Sequence, residues 1–255
     1  MRFGLVLSGG GIRGVAHLGL LKALEEREVN IDIMAGTSAG SIISMLYCFG
    51  FSVERILEII LDIRTLRLVR PAMSLKGVLN MNSVKQYLTE FVKKDNFSAL
   101  RLPLVVAATN LRKGETTYFS KGSVIDAVCA SSCIPVLFNP VRIDGEWYID
   151  GGILNNLPAE AIRSQCDLLL GCHSNPIAPD FIPKNAKDVM ERALMLAITR
   201  NAYLSRELCD YTLEPKGLES YKVMDLNKAK EIYNIGYDQA SQFLDNCDLI
   251  NRLAT

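Results

Sequence analysis

The chain has 255 residues, 49% of them hydrophobic, with 28 Lys and Arg balanced by 28 Asp and Glu. That length is enough to bury a sizeable core, and α/β chains of this size form one domain, here residues 1–255. Balanced charge excludes bulk attraction to nucleic acid as the organising property.

The seven cysteines are an odd number set mostly among apolar residues, as in Val128-Cys129-Ala130 and Leu170-Gly171-Cys172. They read as reduced core thiols of a cytoplasmic protein, not as a disulfide framework. Cys129-x3-Cys133 and Cys166-x5-Cys172-His173 match no standard zinc spacing, so no metal and no cofactor is expected. No D-x-D-x-D-G calcium loop occurs either. The start, Met1 to Leu7, lacks the pattern of a secretory leader, and no apolar run approaches the ~20 residues of a membrane span.

In chain order, Phe3 to Ser8 is a short continuous apolar run, the pattern of a strand buried on both faces. Gly14 to Arg27 has helical spacing, with Val15, Leu18, Leu21 and Ala23 set among Lys22, Glu25 and Glu26. Ile31 to Ala35 reads as a second buried strand, followed by helices over Ser38 to Phe49 and Val53 to Ile63. Asn82 is placed to cap a helix from Ser83 to Lys93. Leu102 to Thr109 is the clearest strand, ending in a polar turn at Lys113-Gly114. Ser123 to Cys129 suits a short helix, and Val141 to Asp150 a hairpin about Asp144-Gly145. Pro158 fits the first turn of a further helix, before a buried strand at Leu168 to Cys172. Lys184 to Leu208 and Asn227 to Phe243 have helical spacing, with a short strand at Tyr211 to Glu214 between them. Buried strands alternating with helices predict an α/β fold, a mainly parallel sheet covered on both faces.

Two strand-to-helix junctions carry the chemistry. The first is Ser8-Gly9-Gly10-Gly11-Ile12-Arg13-Gly14. A glycine run there lets backbone N–H groups converge at a positive helix terminus, where they attract a phosphate or an oxyanion. The second, Gly36-Thr37-Ser38-Ala39-Gly40, has the G-x-S-x-G pattern of a nucleophile elbow. Its sharp turn exposes the serine hydroxyl, and Gly36 and Gly40 leave room where a Cβ would clash. A dinucleotide reading of Gly9-x-Gly11-x-x-Gly14 wants an acid at the far end of the second strand. Asp32 lies at the near end, and Ser38 occupies the far one.

A serine nucleophile needs a base. In Trp147-Tyr148-Ile149-Asp150-Gly151-Gly152, two-residue alternation puts Tyr148 and Asp150 on one face. Asp150 then projects from a strand end, with Gly151 and Gly152 leaving space beyond it. The same Asp-Gly pair also reads as an ordinary turn.

Four ordered blocks resemble the patatin-like phospholipase family. They are Gly9-Gly10-Gly11-Ile12-Arg13-Gly14, Gly36-Thr37-Ser38-Ala39-Gly40, Ala130-Ser131-Ser132-Cys133-Ile134-Pro135-Val136-Leu137-Phe138-Asn139-Pro140 and Asp150-Gly151-Gly152. The likeness covers residues 3–175, leaving the helices over 184–245 to complete the fold. It implies a three-layer α/β/α sandwich and a Ser38–Asp150 dyad that cleaves lipid esters through an acyl-enzyme. It also implies an oxyanion hole from the loop Gly9, Gly10, Gly11, Arg13 and Gly14, with Gly10 and Gly11 as the amide donors. Cys133 stands where the family usually has a small apolar residue, and Gly152 where alanine is commoner.

Two rival readings follow from other features. Ser38, Asp150 and His173 come in the chain order of a Ser–Asp–His triad, while His17 lies near the glycine loop. A non-catalytic module that binds lipid or protein keeps the same fold. Arg64 to Met81, where Arg64, Arg67, Arg70 and Lys76 lie among apolar residues without an acid, suits peripheral contact with anionic lipid.

Overall fold

The structure, a computed structural model, describes residues 1–65, 81–135, 137–223 and 225–254; for residues 63–65, 187, 191 and 226 only the backbone is described. Most of the basic and apolar stretch from Arg64 to Met81 therefore lies outside the described residues.

The sheet is built on four runs with every residue buried: β1 (Phe3–Leu7), β2 (Ile33–Thr37), β3 (Leu104–Asn110) and β7 (Leu168–Cys172). Such runs settle in a sheet covered on both faces, because either pleat face then meets apolar neighbours. Around them lie β4 (Glu115–Phe119), β5 (Val141–Ile143), β6 (Glu146–Asp150) and β8 (Tyr211–Leu213), with hydrogen bonds linking neighbours along the path β5-β6-β3-β2-β1-β7-β8 and β4 also bonded to β3. β1 pairs in parallel with β2 and β7, β2 with β3, and β7 with β8, whereas β4, β5 and β6 are antiparallel to their partners. Pleating sorts the two faces of β1. Phe3, Leu5 and Leu7 enter the larger core with α1 (Ala16–Glu25), α2 (Ala39–Cys48), α3 (Val53–Thr65), α5 (Val124–Ser131) and α7 (Ala229–Asn246). Val6 enters a smaller core with Leu157, Ile162 and Ala202, the last from α6 (Ala186–Arg206). Helices thus flank the sheet on both faces, in three layers.

Differences from the sequence reading have local causes. β4 has no buried run to announce it, since its residues are half-buried or exposed. In place of the helix expected after Pro158 are two 3-10 turns, Ala159–Ala161 and Arg163–Gln165. Asn82 lies within the described helix α4 (Met81–Phe91) and not at a cap position before it. A 3-10 turn over Gly11–Val15 precedes α1. None of the described helices is long and apolar enough to cross a membrane.

Sheet register brings the two candidate residues together. β2 and β6 share one edge of β3: β2 pairs with Leu104–Ala107 and β6 with Ala108–Asn110, while β4 occupies the other edge. The two run toward each other, with Thr37 opposite Ala107 and Asp150 opposite Ala108. Their C-terminal ends meet there, next to the end of β1. β1 in turn lies between β2 and β7, where the chain order along the sheet reverses. Open α/β sheets bind ligands at such a switch point.

Candidate active site

Ser38 sits at the β2–α2 junction with φ 51° and ψ −124°, a conformation that non-glycine residues avoid. Holding it costs of the order of 1–3 kcal/mol, supplied by the surrounding structure. The Ser38 N–H donates to Ser131 Oγ at 2.8 Å, and Ser131 Oγ donates to the Ala107 carbonyl at 2.6 Å. Ser131 thus ties the elbow to β3. The Ser38 carbonyl accepts from the Ser41 N–H and Oγ, and so starts α2. Space is the other requirement. A Cβ on Gly36 would lie 2.8 Å from Gly40 backbone, and one on Gly40 would lie 2.3 Å from the Leu7 carbonyl oxygen.

Ser38 Oγ donates to Asp150 Oδ2 at 2.7 Å. The other carboxylate oxygen accepts from the Gly152 N–H at 2.8 Å. Asp150 backbone is fixed as well, its N–H donating to the Cys133 carbonyl and its carbonyl accepting from Thr109 Oγ1. Both residues are 6% exposed. Burial pushes the Asp150 carboxyl up to about 6, against the opposing effect of the hydrogen bonds from Ser38 and Gly152. A carboxylate so raised is a far better proton acceptor near neutral pH than an ordinary aspartate. Gly151 lets this turn cross β3, since a Cβ there would lie 2.2 Å from the Ala107 carbonyl oxygen.

The glycine loop closes the site from β1. Gly9 lies against Ser38, a Cβ on it falling 2.9 Å from Ser38 Cβ, and its N–H donates to the Asn156 carbonyl. Gly10 and Gly11 N–H groups have no acceptor among the described residues. Gly11 takes φ 55°, and Ile12 N–H donates to the Val223 carbonyl at 2.9 Å. Gly14 packs on Ala39 at the start of α2. Arg13 is held by the segment before Val223: Nε donates to the Tyr221 carbonyl at 2.8 Å and Nη2 to the Glu219 carbonyl. It ties the loop to a C-terminal segment in which the sequence shows no motif.

Neither histidine hydrogen-bonds Ser38 or Asp150. His173 Nδ1 pairs with Glu214 at 2.7 Å, and none of its hydrogen bonds or ring contacts reaches Ser38 or Asp150. His17 Nε2 bonds the Ser8 carbonyl, and burial lowers its pKa to about 4, so the ring is neutral and donates there. Sequence reasoning gave Ser131 no role beyond its place in the third block, and it missed Asn156, four residues past Gly152, and Ser174 and Asn175, two and three residues past the end of β7. Buried polar residues at strand ends were the available signal, because each must find a partner.

An apolar cavity of about 160 Å³ opens beside Ser38 and Gly11, walled by Ile12, Val15, Ile43, Val84 and Phe138. A larger one, about 530 Å³, lies around Phe97, Arg101 and Leu104 at the opposite end of the strands and includes neither Ser38 nor Asp150. The smaller is the one that adjoins the chemistry.

The sequence profile described as Patatin-like phospholipase matches residues 5–163, the stretch holding all four blocks. The chain belongs to the patatin-like phospholipase family. An uncharacterised NTE family protein of Mycobacterium tuberculosis is 32% identical over 177 residues, 68% of this chain and 49% of that protein. Human patatin-like phospholipase domain-containing protein 6 is 29% identical over 279 residues, 91% of this chain and 19% of that protein. The Aspergillus fumigatus protein named lysophospholipase nte1 is 27% identical over 284 residues, covering 95% of this chain and 18% of its own. The chain therefore spans half or less of these relatives. Among solved structures, VipD from Legionella pneumophila superposes with a TM-score of 0.57 at 19% identity, over 96% of this chain and 67% of that one, a likeness of fold. The patatin fold, a mostly parallel sheet flanked by helices, is thus shared well beyond recognisable sequence.

Proposed function

We propose that this patatin-like chain is a serine acyl hydrolase that cleaves carboxylic esters of phospholipid or lysophospholipid. The observation that carries the reading is the 2.7 Å hydrogen bond from Ser38 Oγ to Asp150 in a buried pocket. Asp150 takes the Ser38 proton as Oγ attacks the ester carbonyl, and the Gly10 and Gly11 N–H groups hold the resulting oxyanion. Collapse breaks the ester C–O bond, and the leaving alkoxide takes the proton from Asp150. Asp150 then takes a proton from a water that attacks the acyl carbon; collapse breaks the bond from that carbon to Oγ, and Asp150 returns the proton to Ser38 Oγ. Family membership supports this chemistry, and the lysophospholipase name of one relative supports the substrate class. The apolar cavity suits the acyl chain, since each buried methylene contributes roughly 0.8 kcal/mol.

The dyad is favoured over the triad because Ser38 Oγ donates to Asp150, and no hydrogen bond joins His173 to Ser38 among the described residues. A panel of lipid and short-chain esters, assayed with wild type and Ser38→Ala, tests the proposal. Wild type should hydrolyse at least one lipid ester, and Ser38→Ala should lose at least ~10³-fold in kcat/KM. No turnover of any ester by wild type favours the non-catalytic module instead.

A further inference from the structure

The Gly9 carbonyl accepts three hydrogen bonds: from Asn175 Nδ2 at 2.6 Å, Ser8 Oγ at 2.9 Å and Ser174 Oγ at 3.1 Å. All four residues are at or near full burial, with Asn175 2% and Ser174 0% exposed. Ser174 is itself locked, its N–H donating to Ser8 Oγ at 2.9 Å, and Asn175 carbonyl accepts from Thr199 Oγ1 of α6. The cluster forms because β1 and β7 are neighbours in parallel register, Leu7 opposite Cys172, so the residues leaving both strands emerge side by side. Turning the Asn175 amide over would set Oδ1 against the Gly9 carbonyl oxygen, so the surroundings dictate Nδ2 as the donor.

A trans peptide is planar, and its C=O and N–H point in opposite directions. Holding the Gly9 carbonyl in this cluster therefore aims the N–H of the same peptide unit, that of Gly10, the other way. Gly9 lies against Ser38, and Gly11 lines the cavity together with Ser38. The Gly10 N–H has no acceptor among the described residues, the condition of a donor left free for a reacting oxygen. Gly10 is also held from behind, since a Cβ there would lie 2.3 Å from Ser174 Oγ.

We infer that Asn175, with Ser174, is a positioning residue for oxyanion stabilisation: it fixes the Gly9–Gly10 peptide plane so that the Gly10 N–H faces the oxygen that becomes negative. It touches neither substrate nor Ser38 and acts only through that peptide. The inference rests on the hydrolase reading, and it adds a function for the residues that leave β7, outside the four sequence blocks.

The test uses the full chain, a p-nitrophenyl acyl ester and two ketone analogues of it. A trifluoromethyl ketone adds Ser38 Oγ and forms an oxyanion; the matching methyl ketone binds without one. In Asn175→Ala, kcat should fall about 10- to 100-fold with KM within about 2-fold, less than the ~10²–10³ of losing a donor outright. Trifluoromethyl ketone affinity should weaken by the same factor as kcat, while methyl ketone affinity holds. Ser174→Ala, which keeps the backbone bond to Ser8, should show the same pattern more weakly and decides the matter if Asn175→Ala does not fold. An unchanged kcat, or equal weakening of both ketones, overturns the inference while loss of activity in Ser38→Ala keeps the hydrolase reading. A wild-type rate in Ser38→Ala overturns both.

Discussion

Asp150→Asn should lower kcat/KM by roughly 10³–10⁴-fold, because the amide cannot take the Ser38 proton. His173→Ala should stay within about tenfold of wild type, since His173 serves Glu214 and not the candidate dyad. In wild type, kcat/KM should rise with pH through about 6 and then level off, as Asp150 becomes able to accept. The same raised pKa has a consequence for stability, with the sign fixed by linkage. The folded chain binds the Asp150 proton more tightly than the unfolded chain. The stabilisation this gives is complete below the ordinary value of 3.8 and is lost as pH rises through about 6. Asp150→Asn stays neutral throughout, so at pH 8 it should be more stable than wild type by roughly 1–3 kcal/mol. That advantage should shrink toward pH 4. Urea unfolding at the two pH values measures it, and equal stabilities at pH 8 would mean that Asp150 is not held against its charge.

Gly40→Ala carries the other large effect. Alanine ordinarily favours a helix over glycine by 0.5–1 kcal/mol or so. Here the new methyl would lie 2.3 Å from the Leu7 carbonyl oxygen and 2.6 Å from that of Ser8. Both are backbone atoms at the end of β1, a central strand fixed by pairing on both sides, with Leu7 opposite Gly36 and Cys172. Neither can yield alone, so α2 must lift off the sheet, taking Ser38 with it. A loss of about 3 kcal/mol is expected, at the upper end of overpacking effects. For a chain of this size that corresponds to a melting temperature lower by roughly 6–12 °C. Melting within about 1 °C of wild type would show that the elbow has slack the structure does not reveal.

Much of this site is legible in the sequence because its constraints are local. Steric demands at the elbow fall on Gly36 and Gly40, two residues either side of Ser38, and so leave a short pattern. The buried strands announce themselves as continuous apolar runs, and alternation in β6 separates buried Tyr148 and Asp150 from exposed Trp147. What is illegible depends on register. That β2 and β6 meet end to end on one edge of β3 follows from pairings of Ala107 with Thr37 and Ala108 with Asp150, which no local pattern encodes.

Other contacts are hidden for the same reason. Ser174 and Asn175 look like ordinary polar residues after a strand until β7 is seen beside β1. Val223 and Tyr221 support the glycine loop by their carbonyls, and a carbonyl has no side-chain signature. Likewise α7 docks on α1 through Gly236 and Gly19, where a Cβ on either would lie 2.2 Å from backbone of the other helix. Close approach of two helices written only as single glycines far apart cannot be read without the packing.

Peptide mapping after reaction with a fluorophosphonate, run on wild type and Asp150→Asn together, tests the pairing of hydroxyl and carboxylate most directly. One phosphonylated peptide is expected, the one containing Ser38, formed at least ~10²-fold more slowly when Asp150 is asparagine. Modification of a different residue, or equal rates in the two proteins, would contradict that pairing.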